Sequence, residues 1–153
     1  MRRLLDLIAL GVVIVLLLGA VLHLNHQRRR DEAVSSARLA VERIQAEITL
    51  LQAIGKAADR HDASRGIDPT WFDGELPVNP LLVEQSRWMD VATAAEAMRR
   101  HPRVWQVEDG GEEAMFWYNP MQGVVRARVP AQRSKELARE LYAEVNNLGA
   151  ELE

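Results

Sequence analysis

Residues 4–24 read LLDLIALGVVIVLLLGAVLHL, and no polar side chain interrupts positions 7–22. At about 1.5 Å of rise per residue, the segment makes a helix of about 31 Å, the thickness of a bilayer's hydrocarbon core. In hydrocarbon every backbone N–H and C=O needs a partner within the segment, and a helix provides it unaided. We read residues 4–24 as a transmembrane helix. A cleaved signal peptide would share the charged start at Arg2 and Arg3. It would need a shorter apolar run and a small-x-small cleavage site, which Leu22-His23-Leu24-Asn25-His26 does not offer. A buried helix of a soluble protein is the remaining reading.

Within the span, Asp6 stands near the helix start, where a carboxylate complements the positive end of the dipole. It reaches the headgroups or contacts another chain's N-terminus. Gly11 and Gly19, beside Ala9 and Ala20, are small residues that allow close helix–helix approach in lipid. Arg2 and Arg3 precede the span and Arg28, Arg29 and Arg30 follow it, so charge alone leaves its orientation nearly tied.

Beyond a polar collar at residues 25–30, the composition stays helical to about residue 58. Val34, Ala37, Val41, Ile44, Ile48 and Leu51 recur in steps of 3 and 4, a heptad pattern. Leu39, Ala40, Leu50 and Ile54 widen the stripe, which favours packing on the chain's own domain over a free coiled coil. We divide the chain into a cytoplasmic N-terminus (1–3), the span (4–24), an amphipathic continuation of the helix (25–60) and a small α+β domain (61–153).

That domain reads as a polar loop to Pro69, then an ordered Pro-rich loop, with Trp71 and Phe72 tucked beneath it. Asp90 reads as the N-cap of a short helix over 91–100. Strands follow at 104–107, 114–118 and 124–129, separated by short turns, which predicts an antiparallel meander. Arg126 and Arg128 are expected on its wet face. Ser134 caps a last helix over 135–148, with Leu137, Leu141, Val145 and Leu148 as its packed stripe and Gly149 closing it. The expected fold is α+β: a long N-terminal helix, transmembrane in its first half, packed on a small antiparallel three-stranded sheet with two additional helices.

The net charge of −3 offers no basic field for nucleic acid, and the absence of cysteine removes disulfides and thiolate sites. His23 and His26 have metal-compatible spacing but stand where side chains mark a membrane boundary. His61, Asp62 and Ser64 are the residue types of a hydrolase triad crowded into one loop, where triad geometry is not expected. Trp105, Trp117 and Tyr118 are core residues rather than a stacking platform, given the acidic balance. We expect no enzyme, no cofactor and no metal.

Two stretches resemble small type IV pilin-like proteins. Leu76-Pro77-Val78-Asn79-Pro80-Leu81 is similar to their pro-x-Asn-Pro loop. The run from Phe116 through Trp117, Tyr118, Asn119, Pro120 and Gly123 to Ala127 is similar to their hairpin. No Gly precedes the apolar run, and the family's Phe-Thr-Leu-Ile-Glu peptidase site is missing. The resemblance is thus to a pilin-like or pseudopilin-like protein without that site. It implies a single-pass subunit of a type IV pilus or type II secretion-like assembly. The N-terminus would be cytoplasmic and the domain periplasmic, outside the inner membrane. Its partners would be the membrane, other such subunits and a second copy met through the helix. Val41, Ile44, Ile48 and Leu51 would join Asp6, Gly11 and Gly19 as assembly contacts. The alternative is a membrane-anchored coiled-coil scaffold dimerising through Val34, Val41, Ile44, Ile48 and Leu51. A tethered ligand-binding or enzymatic domain has no clustered residues behind it.

Overall fold

A computed structural model describes residues 2–54, 67, 69–72, 75–82, 87–108 and 110–149, with side chains from Leu10 onward. The chain forms two compact units, Met1–Glu32 and Ala33–Glu153. One helix, α1 (Arg2–Ala53), belongs to both. The expected continuation over 55–58 and the loop carrying His61, Asp62 and Ser64 lie outside the described residues, as do 150–153.

In the first unit, every described side chain, from Leu10 to Glu32, is exposed. Leu10, Val12, Val13, Ile14, Val15, Leu16, Leu17, Leu18, Val21, Leu22 and Leu24 are large, apolar and open on all sides of the helix. The segment is long and apolar enough to cross a membrane.

The second unit is α+β. The part of α1 within it buries Val34, Ala37, Val41, Ile44 and Ile48 in one cluster with Phe116, Tyr118, Val125, Ala127, Leu141, Tyr142 and Val145. The 3–4 periodicity read from the sequence is therefore the face that packs on the chain's own domain.

The sheet departs from the expected meander. It is mixed, with β1 (Met89–Val91) parallel to β3 (Phe116–Asn119), and β3 antiparallel to β4 (Val124–Ala127). The expected strand at 104–107 is reduced to β2 (Gln106–Val107), which pairs in parallel with β5 (Val129–Pro130) in a separate two-stranded sheet. The expected strand at 124–129 thus changes partner at Arg128. The Arg128 N–H donates to Met115 (2.9 Å), and the next N–H, of Val129, donates to Trp105 (3.0 Å).

The helix expected over 91–100 is absent. Val91 stays extended in the ladder, and only a 3-10 turn, Ala94–Glu96, forms after it. Asp90 is not an N-cap; its carboxylate accepts from Arg87, Arg128 and the Ala114 N–H. Ladder pairing and this ion pair outweigh the helical propensity of the Ala-rich stretch. One additional α-helix remains rather than two: α2 (Lys135–Val145), with Ser134 Oγ accepting from the Leu137 N–H at 3.2 Å as its cap. Its buried stripe is Ala138, Leu141, Tyr142 and Val145, while Leu137 is 47% exposed. Asn147, at φ 49°, takes the left-handed position after the helix, not Gly149.

Candidate functional site

Residues that the sequence offered as assembly contacts fall into two groups. Added Cβ atoms at Gly11 and Gly19 would meet nothing within 4 Å, so both leave the helix surface open. The Asp6 side chain lies outside the described residues. Val41, Ile44, Ile48 and Leu51 are buried within the protomer's own domain.

The family-like motif residues hold the fold together. Asn79 and Asn119 are both fully buried, each just ahead of a proline, and both use their carboxamides in the same way. The oxygen folds back on the local chain, and the amide reaches a distant carbonyl. Asn79 Oδ1 accepts from the Leu81 N–H (3.1 Å), and Nδ2 donates to the Arg128 carbonyl (2.8 Å). Asn119 Oδ1 accepts from the Met121 N–H (3.0 Å), and Nδ2 faces the carbonyls of Glu96, Ala97 and Arg99, nearest to Arg99 at 2.7 Å. The short polar side chain fixes the turn and anchors it at once. Pro77 is buried, and its carbonyl accepts from Trp88 Nε1 at 2.8 Å. Pro80 is half-buried, while Trp117, Tyr118 and Pro120 are buried. Gly123 closes the β3–β4 turn at φ 62°, a conformation that a side chain would strain.

Arg128, whose carbonyl Asn79 holds, forms a largely buried ion pair with Asp90. Arg128 is 5% exposed, against the expectation of a wet face. Its Nη1 donates to Asp90 Oδ2 (2.6 Å) and to the Ala114 carbonyl (2.8 Å), and its Nε donates to the Val104 carbonyl (2.8 Å). A guanidinium has donors enough to satisfy all three acceptors, which is why it tolerates burial here. Near it, Trp105 packs on Tyr142 with ring centroids 5.2 Å apart, and the Tyr142 hydroxyl lies 3.3 Å from His101 Nδ1. Burial holds that hydroxyl neutral by pushing its pKa well above the ordinary tyrosine value, against the opposing pull of Arg126 and Arg128.

Among the described residues, no group of three or more His, Asp or Glu side chains is placed to hold a metal. What the second unit does present is an outward face of α1. Leu39, Arg43, Ala46, Leu50 and Ala53 follow one another at steps of 4, 3, 4 and 3, on the side opposite the buried stripe, and all are exposed. A groove of about 700 Å³ runs beside it, between Glu42, Gln45 and Thr49 of α1 and Val125 and Arg126 of β4. Leu39 and Leu50, expected from their apolar character to widen the inward stripe, belong to a second. Their signal was the spacing of 11 residues, three helical turns, set off from the inward series.

Comparison with protein-family models, with curated proteins and with solved structures finds no match.

Proposed function

We propose that the chain is a single-pass, membrane-anchored structural subunit of an assembly similar to a type IV pilus or a type II secretion apparatus. Its N-terminus would lie in the cytoplasm, and the unit Ala33–Glu153 outside the inner membrane. The observation that carries the reading is the exposed apolar surface from Leu10 to Leu24 on every face of α1. Water does not tolerate a contiguous patch of that kind, and lipid does. The two Asn-Pro turns, with their buried carboxamides, support the pilin-like reading. The outward stripe of Leu39, Ala46, Leu50 and Ala53 supports lateral contact between subunits.

The same stripe favours a second reading, a coiled-coil scaffold. A scaffold would now dimerise through these outward residues, since Val41, Ile44 and Ile48 already pack within the protomer.

The test exploits the absence of cysteine. Full-length protein is expressed and membranes are washed at high pH; the chain is expected to stay with the lipid. Ala46→Cys is expected to crosslink to neighbouring subunits in those membranes, and Ile44→Cys to give no crosslink. Full-length protein left in the supernatant without detergent overturns the anchor. Crosslinking between identical copies alone, with no other subunit captured, selects the scaffold.

A further inference from the structure

Taking the apolar stretch as a membrane anchor, and resting on that reading, we propose that His23, His26 and Arg30 form a binding face for the phosphate of an anionic glycerophospholipid. The three residues are separated by three and four positions, so they share one face of α1, within about 60° of its circumference. They extend over about 10 Å along the axis, immediately where the apolar run ends. All three are exposed, and among the described residues none has an ion-pair partner.

The acidic residues that follow sharpen the assignment. Arg28 has Asp31 three positions on and Glu32 four positions on, and Arg29 has Glu32 three positions on. Carboxylates at those spacings are helix-surface neighbours and weaken the hold of both arginines on an anion. Arg30 has Ala33 and Val34 at the same spacings, and His26 and Gln27 one turn before it. Its guanidinium alone is flanked by donors and free of acid. A planar guanidinium takes a phosphate through two parallel N–H···O bonds. Imidazole N–H groups below it add donors while the rings rest against the acyl boundary. The complementary partner is an anionic headgroup at the bilayer surface; a neutral, zwitterionic headgroup brings its own cation to the same place.

The experiment uses full-length protein in nanodiscs of phosphatidylcholine and phosphatidylglycerol at equal amounts, in EDTA, with retained lipids counted by native mass spectrometry. Phosphatidylglycerol is expected over phosphatidylcholine by roughly fivefold, the scale of one basic residue at an anionic surface. The double variant H26Q/R30Q is expected to retain both lipids equally, and R28Q/R29Q to keep the preference. Equal retention by the wild type overturns the proposal, as does an equal loss in R28Q/R29Q. Displacement of phosphatidylglycerol by millimolar inorganic phosphate transfers the site to free phosphate and overturns the lipid assignment. Insertion into pure phosphatidylcholine nanodiscs separates the two readings. A chain that does not insert refutes the anchor; a chain that inserts without preference refutes only the headgroup face.

Discussion

Asn146 grips Ala127 by both ends of its backbone: Oδ1 accepts from the Ala127 N–H at 2.7 Å, and Nδ2 donates to the Ala127 carbonyl at 2.9 Å. A side chain at the end of α2 thus stands where a neighbouring strand would pair with β4. Gln45 of α1 does the same one step along, donating to the Gly123 carbonyl (2.8 Å) and accepting from the Val125 N–H (3.1 Å). Two carboxamides therefore seal the outer edge of β4, which would otherwise be a template for another chain. We expect Asn146→Ala to destabilise the domain by about 2 kcal/mol, because it orphans a buried donor and a buried acceptor. Urea unfolding of the full-length protein in detergent measures this. An unchanged midpoint would show that water replaces the amide at no loss.

Removing one partner of the Arg128–Asp90 pair leaves the other charge buried. Asp90→Ala is expected to cost about 3 kcal/mol or more, since the Arg128 guanidinium keeps only its carbonyl acceptors. Arg87→Ala, which removes the exposed partner of the same carboxylate, is expected to stay within about 1 kcal/mol of wild type. Thermal unfolding of both variants gives the contrast, and equal losses would argue against it.

Burial favours the neutral form of Tyr142, so the folded state holds its proton at pH values where the unfolded chain releases it. The stability it contributes is full below pH 10, the ordinary tyrosine value, and falls as pH rises beyond that. Tyr142→Phe removes the ionisable group. Its stability is expected to decline less steeply than that of wild type above pH 10. Parallel slopes in the two proteins would reject the assignment.

The two stripes of α1 predict opposite outcomes for one chemical change. Ile44 is 0% exposed, and Ile44→Asp places an unpaired carboxylate in the core, so we expect loss of folding. Leu50 is 55% exposed, and Leu50→Asp is expected to shift stability by no more than about 0.5 kcal/mol while weakening crosslinking between subunits. Circular dichroism and crosslinking read the two effects separately.

The legible parts of this chain are those that repeat. The α1 stripe from Val34 to Ile48 and the Ser134 cap were visible because helical spacing and capping chemistry are local. β1 was not, since three residues carry no alternation and its parallel partner is Phe116–Asn119, reached across the intervening chain. Arg128 reads as a solvent-facing residue because a charged residue between apolar ones ordinarily faces out. Its burial is made tolerable by Asp90, 38 positions away, together with the carbonyls of Val104 and Ala114. Asn79 and Asn119 stand out as motif residues, but the distant carbonyls that their amides reach are not written near them. Gln45 and Asn146 gave no signal, for their role exists only once β4 lies beside them.

The placement of the core also dictates an order of events. Val34, Ala37, Val41, Ile44 and Ile48 leave the ribosome first, while their cover, β3, β4 and α2, comes from Phe116 to Val145. Contacts that close over so many residues form slowly. The apolar side of that helix therefore waits uncovered until Phe116 to Val145 has been made, and a nascent chain released short of α2 is a natural client for a chaperone holding that side.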